Sequence, residues 1–122
     1  MPIPEQHKGE CQRVLNALRE LGLSERMIAE NMLLMGHKGV PGRRHVDPVR
    51  EFVVERTGLR IAIQDRVQKV RVYIGDDCVE LKAEDGVYPA LFEFARKFHA
   101  SEYPDLIADE RIQAAVRADR CG

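Results

Sequence analysis

The sequence has no long hydrophobic run, and this absence excludes a membrane-spanning helix. No stretch approaches the roughly 20 consecutive apolar residues of a membrane-spanning helix. The opening residues, MPIPEQHKGE, also lack the apolar core of a secretory signal. We therefore expect a cytoplasmic protein with no membrane partner.

Cysteine is scarce as well, with Cys11, Cys78 and Cys121 spread across the chain. Their wide spacing matches no metal-binding or redox motif. We therefore expect reduced thiols, as in an intracellular protein. Separately, we expect no cofactor. Internal repeats and low-complexity tracts are absent too.

Net charge is nearly absent, at −1 from 19 basic and 20 acidic side chains. A chain so close to neutrality gives no general reason to expect binding to nucleic acid or to a membrane surface. Its hydrophobic content of 44% and charged content of 32% are typical of a globular protein. We predict a single α+β domain over residues 1–122, with 1–4 and 117–122 frayed at the ends.

Apolar spacing of three and four residues predicts three N-terminal helices, over residues 5–21, 25–35 and 48–57. Gly22, Gly36 and Gly58 are placed to end them, and Ser24 and Asp47 to cap the second and third. The second helix, ERMIAENMLLM, is apolar around most of its circumference, which predicts a central position. Its methionines, Met27, Met32 and Met35, fit core filling better than the alternative, an adaptable peptide-binding surface.

Beyond Gly58 the pattern alternates, which predicts strands at 60–64, 69–74 and 78–83, the last two joined as a hairpin. Pro89 then opens a helix rich in phenylalanine that covers the sheet, with Phe92 off the main stripe but interpreted as a core contact. A last helix is predicted after Tyr103, with its apolar side formed by Leu106, Ile107, Ile112 and Val116. The fold class is α+β: three N-terminal helices, a small antiparallel sheet made of a hairpin plus one strand, and one or two C-terminal helices.

The segment between the second and third helices is unusual because it is basic and rich in glycine. It contains no acid between Gly36 and Val46. Glycines at every third position allow tight bends that expose backbone N–H groups, and such a loop before a helix resembles an anion cradle. The spacing is not that of a nucleotide-binding motif, and Asp47 already occupies the helix start. The alternative is a solvated surface loop.

Two other functions compete for the same segment. Three helices followed by a hairpin is the order of a winged-helix DNA-binding domain, with Arg50 and Arg56 on the third helix. Against this, the third helix also carries acids, the hairpin tip is Asp76-Asp77, and the loop is too long for a helix-turn-helix. A metal-dependent enzyme could use His37, His45 and Asp47, but this ligand set is a weak signal. His7 and His99 have no evident companions, and no Ser or Cys has the context of a nucleophile.

Short matches at Gly39-Val40-Pro41-Gly42, at Pro48, at Thr57-Gly58 and at Tyr103-Pro104-Asp105-Leu106 make the chain resemble small uncharacterised proteins of actinobacteria and their phages or mobile elements. The resemblance covers about two-thirds of the chain and implies an accessory role with no defined activity. The leading hypothesis is a non-enzymatic binding protein that engages an anionic partner, with protein favoured over nucleic acid. Its predicted contact residues are His37, Lys38, Gly39, Gly42, Arg43, Arg44, His45 and Arg50.

Overall fold

The structure is a computed structural model that describes residues 3–43 and 47–109 and the single positions 111, 115 and 118. The described residues form four α-helices and one three-stranded antiparallel sheet, which confirms the α+β class. Within these ranges, no helix combines the length and the apolar character needed to cross a bilayer. The helices are α1 (Lys8–Leu21), α2 (Glu25–Met35), α3 (Pro48–Thr57) and α4 (Pro89–His99), and the strands are β1 (Arg60–Gln64), β2 (Lys69–Ile74) and β3 (Asp77–Leu81).

The helix ends follow the capping chemistry expected from the sequence. The Ser24 hydroxyl accepts a hydrogen bond from the backbone N–H of Met27, and α2 ends at Gly36 with φ at +74°. The corner between α1 and α2 requires a glycine, because a Cβ on Gly22 would lie 2.6 Å from the Cβ of Met27. The first helix starts three residues later than predicted. The segment Glu5–His7 is a turn of 3-10 helix, and the α-helix begins at Lys8.

The sheet is a meander in the order β1, β2, β3. Arg71 pairs with Glu80 across the two hairpin strands, and their side chains approach to 3.7 Å between Nε and Oε1. The third strand stops at Leu81, two residues earlier than predicted, because the Asp85 carboxylate accepts from the backbone N–H of Lys82 and folds the chain into a 3-10 turn.

One face of the sheet and the helices enclose a single continuous core. Each strand alternates buried and more exposed residues, as a sheet covered on one face requires. The helix α4 contributes three buried aromatic rings, and Phe92 is only 3% exposed, which confirms its interpretation as a core contact. The described buried side chains of α4 are Leu91, Phe92, Phe94, Ala95 and Phe98.

The predicted central position of α2 is wrong. Only Ile28 and Met32 of this helix are buried. Met27 and Met35 are 46% and 42% exposed, so the core assignment fails for these two methionines and holds for Met32. The reason is that α2 packs at the edge of the domain, against α4 and α1, and neighbours cover only one of its apolar sides. An apolar composition all around a helix does not determine which sides find a neighbour.

The predicted last helix also differs from the structure at its start. Pro104–Leu106 is a single 3-10 turn, and Ile107 forms a parallel β-bridge with Gly39. Leu106 and Ile107 are buried through this turn and bridge instead of lying on a helix stripe. Farther on, the described positions 111, 115 and 118 are helical and exposed. The other predicted stripe residues, Ile112 and Val116, lie outside the described residues, as do Cys121 and most of the segments predicted to fray.

Candidate interaction site

The basic loop is fixed to the rest of the molecule at its middle. The backbone N–H of Gly39 donates to the carbonyl of Leu106 at 2.9 Å, and the N–H of Ala108 donates back to the Gly39 carbonyl at 2.8 Å. This pairing brings together residues 39–42 and 103–106, which are more than 60 residues apart in the sequence. The loop is therefore attached to the segment that follows Tyr103 and is not a free connection.

A buried histidine holds the same loop three residues later. The backbone N–H of Gly42 donates to Nδ1 of His99 at 2.9 Å, and Nε2 of His99 lies 2.8 Å from Oδ2 of Asp47. Because Nδ1 accepts a hydrogen bond, the ring proton belongs on Nε2, from which it is donated to Asp47. The side chains of His99 and Asp47 are only 7% and 4% exposed. With both ring nitrogens engaged, His99 is placed to position the loop and not to exchange protons with a substrate.

Asp47 connects this network to α3. Its second carboxylate oxygen, Oδ1, accepts from the backbone N–H groups of Val49 at 2.8 Å and Arg50 at 3.3 Å, which satisfies two donors at the helix start. One carboxylate thus joins the beginning of α3 to the end of α4 and, through His99, to the loop. The negative charge also interacts favourably with the helix dipole, so the start of α3 is not available to a bound anion.

The three loop glycines do not supply the bare amides of an anion cradle. Gly36 donates its N–H to Leu33, Gly39 to Leu106 and Gly42 to His99. The glycines do provide tight bends, since φ is +74° at Gly36 and +83° at Gly42, but the N–H groups are directed into the protein. The tight bends serve to attach the loop and not to display amides.

Two of the predicted contact residues already have acidic neighbours. The Nε2 atom of His37 lies 3.3 Å from Oε2 of Glu55, and the ring packs edge-on against Phe52 at 5.7 Å. The side chain of His37 is correspondingly only 14% exposed. The guanidinium of Arg50 lies 3.4 Å from the carboxylate of Glu51. Neither side chain is a strong candidate for a first contact with an external anion.

Lys38 and Arg43, unlike His37 and Arg50, have no acidic neighbour among the described residues. Both are exposed, and neither approaches an acid within 4 Å in the described part of the chain. They flank the segment that Gly39 and Gly42 hold in place. Arg44 and His45, the remaining predicted contacts, lie outside the described residues.

A second polar cluster holds the C-terminal segment from the other side. The Tyr103 hydroxyl donates to Glu25 at the start of α2, and Lys97 of α4 approaches the same carboxylate oxygen at 2.8 Å. The hydrogen bond from Lys97, followed by that from Tyr103, lowers the pKa of Glu25. Burial and the adjacent Glu25 carboxylate raise the pKa of the Tyr103 hydroxyl. The cluster ties α2, α4 and the segment that supports the loop to one another.

This cluster predicts a pH-dependent contribution to stability. A glutamate in an unfolded chain titrates near pH ~4.3, and the pKa of Glu25 is lower than that in the folded protein. Its contribution is therefore present above that pH and is lost as the pH falls through the folded value. We expect urea unfolding between about pH 6 and pH 3 to show a smaller loss of stability in Glu25→Gln than in the wild type. Identical pH profiles for the two proteins would contradict this role for Glu25.

The histidine partners were missed by sequence reasoning. His99 and Asp47 are 52 positions apart, and His7, whose Nε2 lies 2.9 Å from Oδ2 of Asp77, is 70 positions from its partner. No local spacing marks such pairs. The one usable signal is chemical: a histidine in the last turn of a helix and an aspartate cap on another helix both need a partner if they are buried.

The described residues do not support the metal-site alternative. Among them, no group of three or more His, Cys, Asp and Glu side chains is arranged to hold an ion. His37 and Asp47, two of the three proposed ligands, are directed to separate partners, Glu55 and His99. Comparison of the chain with models of protein families, with curated proteins and with solved structures found no match.

Proposed function

We propose that this chain is a small non-enzymatic binding protein that engages an acidic protein surface through the loop from His37 to His45. The observation that supports this most is the way the loop is held. Gly39 and Gly42 are anchored to the body of the domain, while the adjacent Lys38 and Arg43 are exposed and have no acid within 4 Å among the described residues. Exposed cations on a fixed backbone lose little conformational freedom in the loop on binding.

The choice of an acidic surface over a small anion follows from the hydrogen bonding. A phosphate or carboxylate site normally needs several donors that converge on one point, such as free amides at a helix start. Here the Gly39 and Gly42 amides are occupied and Asp47 caps α3. Separate cations on a firm loop suit instead the dispersed carboxylates of a protein surface, where they accelerate and orient association.

Nucleic acid is less well supported than protein. The two arginines of α3 lie beside acids, Arg50 near Glu51 and Arg56 at 3.1 Å from Glu20. A recognition helix needs its cations directed at phosphates and bases, and acids on the same surface repel the DNA backbone. If DNA is nevertheless the ligand, retention of a duplex should be strong at low salt and should fall steeply as salt is added.

Alanine at both exposed loop cations tests the proposal. The immobilised wild type should recover a specific acidic partner from a lysate of its source, and Lys38→Ala combined with Arg43→Ala should reduce recovery by about tenfold or more, because two charge contacts are lost. A matched control is Arg60→Ala with Arg66→Ala, two exposed cations elsewhere that change the net charge equally. Circular dichroism should be unchanged in both variants. Equal recovery by the loop variant and the control would contradict the proposal.

A further inference from the structure

The helix α2 carries an exposed apolar surface that the basic loop does not explain. Leu34 is 84% exposed, Leu33 is 53% exposed and Met27 is 46% exposed, and Leu23, just before the cap, is 57% exposed. Such side chains are individually common on protein surfaces, but three on one short helix and a fourth just before its cap form a patch that is typical of an interface. We define Leu23, Met27, Leu33 and Leu34 as the α2 patch.

Two charged side chains next to the α2 patch are placed so that they would complement the same two side chains of a second copy. Arg26 and Glu30 lie one turn apart on the exposed side of α2, with the guanidinium Nε 2.9 Å from Oε1. Both side chains are more than half exposed. When two copies of a helix pack antiparallel about a two-fold axis, the order of charges is reversed in the second copy. Arg26 of each copy then faces Glu30 of the other, whereas a parallel arrangement would place like charges together.

The apolar residues agree with the same axis. An axis at position 28 places Arg26 opposite Glu30, and this register also places Leu23 of one copy opposite Leu33 of the other, with Leu34 one residue away. Met27 lies close to the axis and meets its own counterpart.

The surface shape next to Leu33 fits this register. A groove of about 290 Å³ lies between α2 and the turn at Pro104–Leu106, and Leu33 forms part of its wall. In the antiparallel arrangement Leu23 of the second copy projects towards this groove. A protruding side chain and a recess are thus related by the two-fold axis, as an isologous contact requires.

From this combination we infer that the chain forms a symmetric homodimer through antiparallel contact of the two α2 helices. The contact uses one short helix from each copy, so it buries less than the ~1,200 Å² of a standard stable interface. The dimer should therefore dissociate in the micromolar range and be detected by its dependence on concentration. The inference is independent of the proposed function, because the α2 patch and the loop residues Lys38 and Arg43 are different surfaces.

Sedimentation velocity of the full chain tests the dimer. Between about 5 and about 500 µM the wild type should shift from monomer to dimer. Leu34→Asp should remain monomeric over that range with unchanged circular dichroism, because Leu34 is almost fully exposed in the single copy. Val67→Asp is the matched control: it removes an apolar side chain that is 58% exposed in the turn between β1 and β2, and it should dimerise like the wild type. A wild type that stays monomeric throughout, or a dimer that survives Leu34→Asp, would overturn the inference.

Charge exchange between copies gives a second test that intrahelical effects cannot imitate. Arg26→Glu alone places two acids on each copy, and Glu30→Arg alone places two arginines, so each variant should dimerise about tenfold more weakly than the wild type because like charges meet. An equimolar mixture of the two variants should form a heterodimer, since each acid then faces an arginine. If the mixture dimerises no better than the separate variants, the antiparallel register is wrong.

Discussion

Asp47→Ala should lower the free energy of unfolding by about 2–4 kcal/mol. The loss of the α3 cap accounts for about 1 kcal/mol. The remainder, about 1–3 kcal/mol, is the cost of leaving the buried Nε2–H of His99 without an acceptor. Urea unfolding followed by circular dichroism measures the sum. A loss of less than about 1 kcal/mol would mean that Asp47 acts as a cap alone.

Asp47→Asn separates the two roles of this residue. Asparagine caps helices about as well as aspartate, so the α3 start should be preserved. If its amide oxygen keeps the cap, its NH₂ group faces the Nε2–H of His99, and two donors cannot bond to each other. The other ring tautomer is not available, because Nδ1 accepts from Gly42. We therefore expect a loss of about 1–3 kcal/mol for this variant. Wild-type stability would show that the His99 contact is dispensable.

Phe98→Ala should lower the free energy of unfolding by about 3–5 kcal/mol, through lost burial and the cavity left behind. The ring is completely buried, stacks on Phe94 at 6.4 Å and meets the His99 ring edge-on at 5.1 Å. Its removal should loosen the end of α4 together with the histidine that holds the loop. Thermal unfolding by circular dichroism measures the effect, and chemical shifts of the loop amides report whether the loop is released.

Tyr88→Ala is the control for Phe98→Ala. Tyr88 is an aromatic residue at the other end of α4 and is 40% exposed. Its substitution should change stability much less, by about 1 kcal/mol at most. Equal losses at the two positions would contradict the assignment of Phe98 to the core around His99.

Elements whose chemistry is local were predictable from the sequence. The third helix shows this, because Asp47 and Pro48 mark its start and Gly58 marks its end, and the structure places both ends there. The hairpin is similar: alternation and a Gly-Asp turn predict its two strands, and the structure pairs them with Arg71 opposite Glu80. Capping, turn formation and side-chain alternation act over a few residues and leave a readable pattern.

Features that depend on distant contacts were not predictable. The pairing of Gly39 with Leu106 and the bond of His99 to Asp47 join positions more than 50 residues apart, and neither leaves a local pattern. The sequence left open whether the loop displays amides to an anion or is a solvated surface connection, and it did not indicate that Gly39 and Gly42 anchor the loop. Similarly, the apolar composition of α2 indicated burial, but only the tertiary arrangement determines that Leu34 remains outside.

The loop and the α2 patch have different physical requirements, which makes their tests separable. The proposed binding through the loop relies on Lys38 and Arg43 and should weaken with salt, since exposed charges are screened. Dimerisation depends mainly on apolar contact at Leu34, which salt weakens far less. As salt is added, recovery of the partner should therefore fall steeply, whereas the dimer fraction measured by sedimentation should change little.

Amide hydrogen exchange at the loop tests most directly whether it is held in place as a binding surface. We predict that the N–H groups of Gly39 and Gly42 exchange about 100-fold or more slowly than in an unstructured peptide, because each is donated to an internal acceptor. In His99→Ala the Gly42 amide should lose this protection. Lys38 is the internal reference: among the described hydrogen bonds its N–H has no acceptor in the protein, and it should exchange rapidly. Fast exchange at both Gly39 and Gly42 in the wild type would show that the loop is not anchored and would contradict the proposed site.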